Sequence, residues 1–416
     1  MPARIAGGDS APPLRRIVAS LEQEQFRYFL AGSFLSNVGS WMQSVAQAWL
    51  MLEISNSAFY LGLDGFANTI PISIFAFWGG VIADRVDRRK LLINTQWFLL
   101  CLAIALGVMA QFKLVRIWHI LMFSFCTGLT QAVAWPVYQA VMGSIIPRQH
   151  LPNAIALNSV QFNLARTIGP LMGALGLHWF GTAGCFYANA ISFLAVIAAV
   201  SRVTIPAPAT PGPIPKSMLH SLREGLRSMI EKRALLWLLL LLASTSILGV
   251  PLVMLLPVYA RDILKIGASG LGLLVGSFGA GAVIGAFGVA WRGDFSGKGR
   301  FVLHMILLFA ASMLGFSQST WLPLSLTCLF VSGFSMIGFA SVINSLVQNS
   351  VPDHLRGRAV SIFVFSFGGC MPLGNLLSGW LAKVFGAPAA LLGQGIVLGL
   401  FVLYVYSAHR DVHSLT

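Results

Sequence analysis

"GGVIADRVDRRKLL", residues 79–92, carries six charged side chains in fourteen positions, in a chain of 416 residues of which only 10% are charged. A soluble domain is nearer 25% charged. The flanking stretches, "LDGFANTIPISIFAFW" and "INTQWFLLCLAIALGVMAQF", are almost wholly apolar. A charged loop between two apolar runs, each long enough to cross a bilayer, predicts a polytopic membrane protein. The 56% hydrophobic composition agrees.

Twelve such runs follow one another, at 26–53, 57–82, 91–111, 116–146, 152–179, 182–200, 234–262, 268–291, 301–318, 320–350, 356–384 and 387–409. Short connections make neighbours antiparallel. The fourth and tenth runs are long, which points to strong tilt or extension beyond the hydrocarbon. The expected fold is all-α, twelve transmembrane helices in two pseudo-symmetric six-helix bundles. Residues 1–25 form a tail without an apolar core, unlike a cleaved signal peptide. The bundles are 26–200 and 234–410, and 411–416 is a second tail. Between the bundles, "SRVTIPAPATPGPIPK" is too rich in proline to continue a helix. After it, Leu219, Leu222, Leu226, Met229 and Ile230 share one helical face, opposite Arg223, Arg227 and Lys232. The linker 201–233 therefore ends in an amphipathic helix suited to the membrane surface.

The halves repeat faintly. "TGLTQAVAWPVYQAVMGSIIPRQHL" (127–151) aligns without gaps to "SGFSMIGFASVINSLVQNSVPDHLR" (332–356), with Thr127, Gly128 and Pro147 on Ser332, Gly333 and Pro352. Parallel duplication of a six-helix unit is a known way to build a transporter. An even number of spans puts both termini on one side. That side holds 21 of the 27 lysines and arginines, the opposite side five, and Arg166 lies within a span. The positive-inside rule makes the terminus side cytoplasmic. The net charge of +14 is thus topological, and no nucleic-acid partner is expected. Cys101, Cys126, Cys185, Cys328 and Cys370 all fall in apolar runs without metal-ligand spacing, so neither a disulfide framework nor a metal or other cofactor is expected.

The pattern Gly80-x-x-x-Asp84-Arg85-x-Asp87-Arg88-Arg89 resembles the loop signature between the second and third helices of the major facilitator superfamily, with Asp87 in place of the usual glycine. "SNVGSWMQSVAQAWL", "ALNSVQFNLARTIGPLMG" and "VQNSVPDHLRGRAVS" resemble its branch of enterobactin exporters and macrolide-efflux proteins, the transmembrane secretion effectors. The resemblance implies a multi-pass protein of the bacterial inner or plasma membrane. It also implies a latch. Asp84 would meet the amide-rich N-terminus of the eleventh helix. Arg356 and Arg358 would add charge pairing there, and Gly79 and Gly80 would permit close helix approach. Gly80, Asp84, Arg85, Arg88, Arg89, Arg356 and Arg358 are the candidate gating residues. The bland alternative, that these charges only set topology, is weakened by the aspartates, which contribute little to topology. "ARTIGPLMGALG" (165–176) partly matches the antiporter signature of the fifth helix, and Gly272, Gly276, Gly281 and Gly285 supply a matching smooth row in the eighth.

In the resembled fold the first, fourth, seventh and tenth helices face a central cavity. Ser36, Ser40, Gln43 and Gln47 share one helical face, bordered by Asn37 and Trp41. Thr127, Gln131, Trp135 and Tyr138 share another. Asn344, Ser345, Gln348 and Asn349 follow in the tenth helix. Lipid penalises such faces, so they point inward, either to bind cargo or to bond one another. The candidate substrate contacts are Asn37, Trp41, Gln43, Gln47, Gln131, Trp135, Tyr138, Asn344 and Gln348. Aromatics beside uncharged amides suit a bulky, flat, amphipathic molecule. Asp64 and Arg166 are the charges well inside spans, and such groups are functional candidates by default. Asp64 can carry a proton or sit in a static pair. Arg166 can attract an anion or brace Asn158 and Asn163. Glu53 is a further acid, at the outer end of the first helix. His119 and His178 read as structural.

The expectation is a monomeric, proton-coupled exporter of a siderophore or similar amphipathic small molecule or drug. Its partners are the substrate, protons and the lipid bilayer. A lysophospholipid or metabolite carrier is the alternative within the superfamily, and a non-transporting sensor on the same scaffold is the alternative outside it. An enzyme would need clustered His, Asp or Cys, and an ATP-driven pump a G-x-x-x-x-G-K-[ST] loop, which the chain lacks.

Overall fold

The computed structural model describes residues 19–83, 85–205, 233–293, 295–351, 356–413 and 415. Asp84 and the amphipathic stretch 219–232 lie outside the described residues, as do the first tail up to residue 18 and residues 414 and 416 of the second. Among the described residues the regular structure is helical. The first two passes are α1 (Glu24–Ser55) and α2 (Ala58–Ala83). They are followed by α3 (Arg88–Gln111) and α4 (Ile117–Ser144). One long helix, Leu151–Arg202, bends at Gly181, whose backbone (φ 66°, ψ −172°) is open to glycine and strained for other residues. Its arms, 151–180 and 182–202, are α5 and α6. The expected break between these spans is thus a single glycine hinge. The second half comprises α7 (Arg233–Ile263), α8 (Gly267–Arg292), α9 (Lys298–Ser317), α10 (Leu322–Asn349), α11 (Ala359–Phe385) and α12 (Ala387–Ala408). The order accommodates the twelve passes expected.

Two passes are less regular than apolar length suggests. After Leu248, α7 tightens into a 3₁₀ segment, Val250–Leu255, and then relaxes into a π turn, Tyr259–Ile263. Pro251 and Pro257 remove two amide donors there, and the altered winding absorbs the loss. In α11 a π turn, Phe365–Gly369, precedes Pro372.

Lipid offers helices no hydrophobic drive to associate, so close packing must bind them. The internal repeat has this physical content. A β-carbon on Gly128 of α4 would stand 2.0 Å from the carbonyl oxygen of Asn68 in α2. One on its counterpart, Gly333 of α10, would stand 1.9 Å from that of Phe278 in α8. The same crossing, glycine onto a carbonyl, builds both halves. The smooth row of α8 divides in two. Gly272 and Gly276 pack on Ala174, Pro170 and Leu171 of α5, across the boundary between halves, whereas Gly281 and Gly285 pack on Phe330 and Phe334 of α10 within one half.

The chain ends share one face of the bundle, here the terminus face, and the halves join toward the opposite, far face. There α5 meets α8, and α2 meets α11 at Gly62, Gly65, Asn375 and Gly379. The helix Arg356–Val364, whose second part opens α11 on the terminus face, packs on α10.

Candidate functional site

The charged loop is built locally before it does anything else. Asp87 caps α3, its carboxylate accepting from the backbone N–H of Arg89 (2.9 Å) and Lys90 (3.1 Å). A carboxylate at a helix N-terminus satisfies orphan amides and opposes the dipole favourably. This explains an aspartate where the family loop usually has glycine. Arg89 donates to the carbonyl of Ser201, tying the start of α3 to the end of α6. Arg88 is partly buried, and Arg85 is exposed. The expected close approach belongs to Gly79, where a β-carbon would stand 2.1 Å from the carbonyl oxygen of Ala132 in α4; among the described residues nothing lies within 4 Å of the corresponding position on Gly80.

A cavity of about 470 Å³ lies among α1 to α6, with Val364 of α11 as its contribution from the second half. Asn37, Trp41, Gln131, Trp135 and Tyr138 line it, all from the expected set. Aromatic rings shape one wall. Trp135 stacks on Tyr138 (centroids 6.1 Å apart) and meets Phe162 edge-on (5.9 Å), and Phe162 meets Trp41 at 6.5 Å. Amides and a phenol bind the wall together: Tyr138 Oη donates to Asn158 Oδ1 (2.6 Å), Gln161 Nε2 donates to the same oxygen (3.1 Å), and Asn37 Nδ2 donates to Gln161 Oε1 (3.3 Å). The chain of bonds fastens α4, α5 and α1 around the space. Phe162, Asn158, Gln161 and Gln96 also line it. Phe162 lies one turn from Asn158 in "LNSVQF", and that spacing was the available signal for it.

Other expected contacts go elsewhere. Gln43 accepts from Asn189 Nδ2 of α6 (2.7 Å) and braces the first half. Gln348 donates to Asn344 along α10 (3.0 Å). Gln47 turns to Asp64: its Nε2 donates to both carboxylate oxygens (3.1 and 3.2 Å) and lies 2.7 Å from Ser124 Oγ, while Ser124 donates to Asp64. Asp64 is partly buried and held by neutral donors from α1 and α4; among the described residues no cation pairs with it. Glu53 is exposed and accepts from Trp49 Nε1 (2.6 Å). His119 accepts from the N–H of Arg116 (3.0 Å) at the start of α4, a structural cap.

Arg166 does not brace Asn158 or Asn163. Asn163 donates to the carbonyl of Ser159 (2.8 Å), and Asn158 serves Tyr138 and Gln161. The guanidinium of Arg166 instead lies between two rings, 5.9 Å from the centroid of Trp41 and 5.5 Å from that of Phe278.

On the far face is a clasp whose residues nothing in the sequence singled out. Arg261, at the end of α7, donates to the carbonyl of Leu52 (2.9 Å) and to Asn56 Oδ1 (2.7 Å), both at the end of α1. Asp262 orients it through a bidentate contact (2.6 and 3.0 Å). Asn56 is the helix cap, in the left-handed region (φ 47°), where asparagine is among the better tolerated residues.

Nine helices long and apolar enough to cross a membrane among the described residues, packed around a cavity, define a multi-pass helical membrane protein. A homologue of the lysosomal transporter Spinster, solved in an inward-facing, occupied conformation, superposes with a TM-score of 0.72 at 13% identity, covering 97% of this chain and 98% of its own. Residues 16–413 match the transmembrane secretion effector family, and the chain belongs to it. The staphyloferrin A transporter of Staphylococcus aureus is 25% identical over 389 residues, 93% of this chain and 96% of its own. The multidrug efflux pump Tap of Mycolicibacterium fortuitum is 24% identical over 388 residues, 90% of this chain and 94% of its own. The chain is thus a multi-pass transporter and not an enzyme.

Proposed function

We propose that this protein exports an amphipathic small molecule, a siderophore or a drug, by alternating access, in exchange for protons. The observation that carries the reading is the aromatic and amide cavity formed by Trp41, Gln131, Trp135, Tyr138 and Phe162. It offers flat apolar faces and neutral hydrogen-bonding groups, which suits a bulky amphipath better than a sugar or an amino acid. The names of the full-length relatives, a siderophore transporter and a multidrug efflux pump, support the same class of cargo.

The terminus face is cytoplasmic on the charge distribution, and the far-face contacts are then the closed outer gate. In the alternate state α2 and α11 would close on the cytoplasmic side, with Asp84 against the first turn of α11 and Arg356 and Arg358 beside it. Gly80, which has no close neighbour among the described residues, would then pack against α11. Arg85, Arg88 and Arg89 complete this inner latch. Asp64 carries the proton: it is an acid within a span, held by neutral donors, so no permanent cation fixes its charge. Glu53, exposed at the far rim, is the entry point. The protein works as a monomer in the bacterial cell membrane. The test is reconstitution into proteoliposomes, with catecholate and carboxylate siderophores and macrolides screened for transport; failure of every amphipath, with transport of a sugar or amino acid, would refute it.

A further inference from the structure

Arg166 has an environment that the exporter reading leaves unexplained. It lies within a span, between Trp41 of the first half and Phe278 of the second. Among the described residues no carboxylate pairs with it and no carbonyl accepts from it. A cation in a membrane core is costly unless paired, and two ring faces compensate only in part. Arg166 is one helical turn from Phe162, and Trp41 and Phe162 both line the cavity. The guanidinium is not itself a lining group; it stands beside the Trp41 ring, next to the aromatic wall. Among the described residues the lining holds serine, asparagine, glutamine and tyrosine but no acid. Asp64, the acid within the first half, is taken up by Gln47 and Ser124. The wall thus offers a cationic cargo no counter-charge and offers an anionic one a waiting partner.

We infer that Arg166 is the recognition point for an anionic group, a carboxylate or a group of similar geometry, on a cargo whose flat apolar part lies along Trp41, Phe162 and Trp135. The guanidinium presents a planar fork of donors suited to a carboxylate, and the surrounding rings keep water from competing. The subsite rests on the proposed amphipath cavity and adds to it the sign of the cargo's charge.

The test uses the full-length protein in lipid nanodiscs and two probes that differ in charge alone, pyrenebutyrate and its primary amide. Binding is read by energy transfer from tryptophan, with empty nanodiscs as the blank. The wild type is expected to bind the carboxylate about tenfold tighter or more, the usual scale for one charge-assisted pair away from bulk water. R166Q should bring the ratio close to one without weakening the amide, and R166K should keep much of the preference. A wild-type ratio near one overturns the inference and needs no variant to do so. Equal weakening of both probes in R166Q also overturns it, since that marks a structural brace. Either result leaves the amphipath cavity standing, whereas wild type that binds neither probe removes both.

Discussion

Gly62 of α2 and Gly379 of α11 meet backbone to backbone across the two halves: a β-carbon built on Gly379 would stand 2.8 Å from the Cα of Gly62. With Gly272 against Ala174 and Pro170, this contact closes the far face. Gly379→Leu should wedge it. Overpacking a tight contact typically costs about 1–3 kcal/mol, which shifts the equilibrium between far-closed and far-open states by roughly five- to 150-fold. Thiol labelling of a cysteine placed at Ser55, with a membrane-impermeant reagent from the far side, should rise. Unchanged labelling with normal transport would mean that this contact is not the gate.

Arg261 clasps the same face by hydrogen bonds rather than packing. Arg261→Ala leaves the Leu52 carbonyl and Asn56 without their donor and should weaken the far-closed state by about 1–3 kcal/mol. Asp262→Asn, which keeps one acceptor for Arg261 but loses the bidentate contact and the charge, should do less. The same labelling assay ranks them; an equal or reversed order would contradict the clasp.

Trp135 and Gln131 are predicted to decide which compounds move. Trp135→Ala removes a stacking face on the order of 1 kcal/mol, several-fold in affinity. At equal expression its substrate profile should change more than its maximal rate for the best substrate. A parental profile in both Trp135→Ala and Gln131→Ala would exclude α4 from reading the cargo.

The sequence carried the architecture further than the site. Apolar length, a charged loop and lysine–arginine asymmetry are summed over many residues, so small local errors do not disturb them. Asp87 was legible as a departure from the family loop, and its capping bonds give the reason. Helical periodicity placed Asn37, Trp41, Gln131, Trp135 and Tyr138 on inward faces, and they line one cavity. Periodicity cannot say which inward neighbour a side chain meets. Gln43 found Asn189, and Gln47 found Asp64, because α6 and α2 stand beside α1 there. The contacts that close the far face, Gly62 on Gly379 and Arg261 on Asn56, join residues more than two hundred positions apart with no shared pattern. Only the packing of two halves brings them together.

Asp64 separates coupling from binding. Asp64→Asn keeps a side chain able to bond Gln47 and Ser124, so fold and cargo exchange down a gradient should survive. Proton-driven accumulation should be lost. Counterflow and driven uptake, compared in the same vesicles, check this. Full driven transport in Asp64→Asn would move the proton site to Glu53.

The most direct measurement is uptake of a fluorescent amphipath by inside-out membrane vesicles, as a function of the sign of an imposed pH gradient. An acid lumen should drive accumulation, because protons leaving the lumen exchange for cargo entering it. A reversed gradient should abolish accumulation, and Trp135→Ala should blunt it for bulky aromatic cargo. Accumulation that ignores the gradient, or that appears only with an alkaline lumen, would contradict a proton-exchanging exporter.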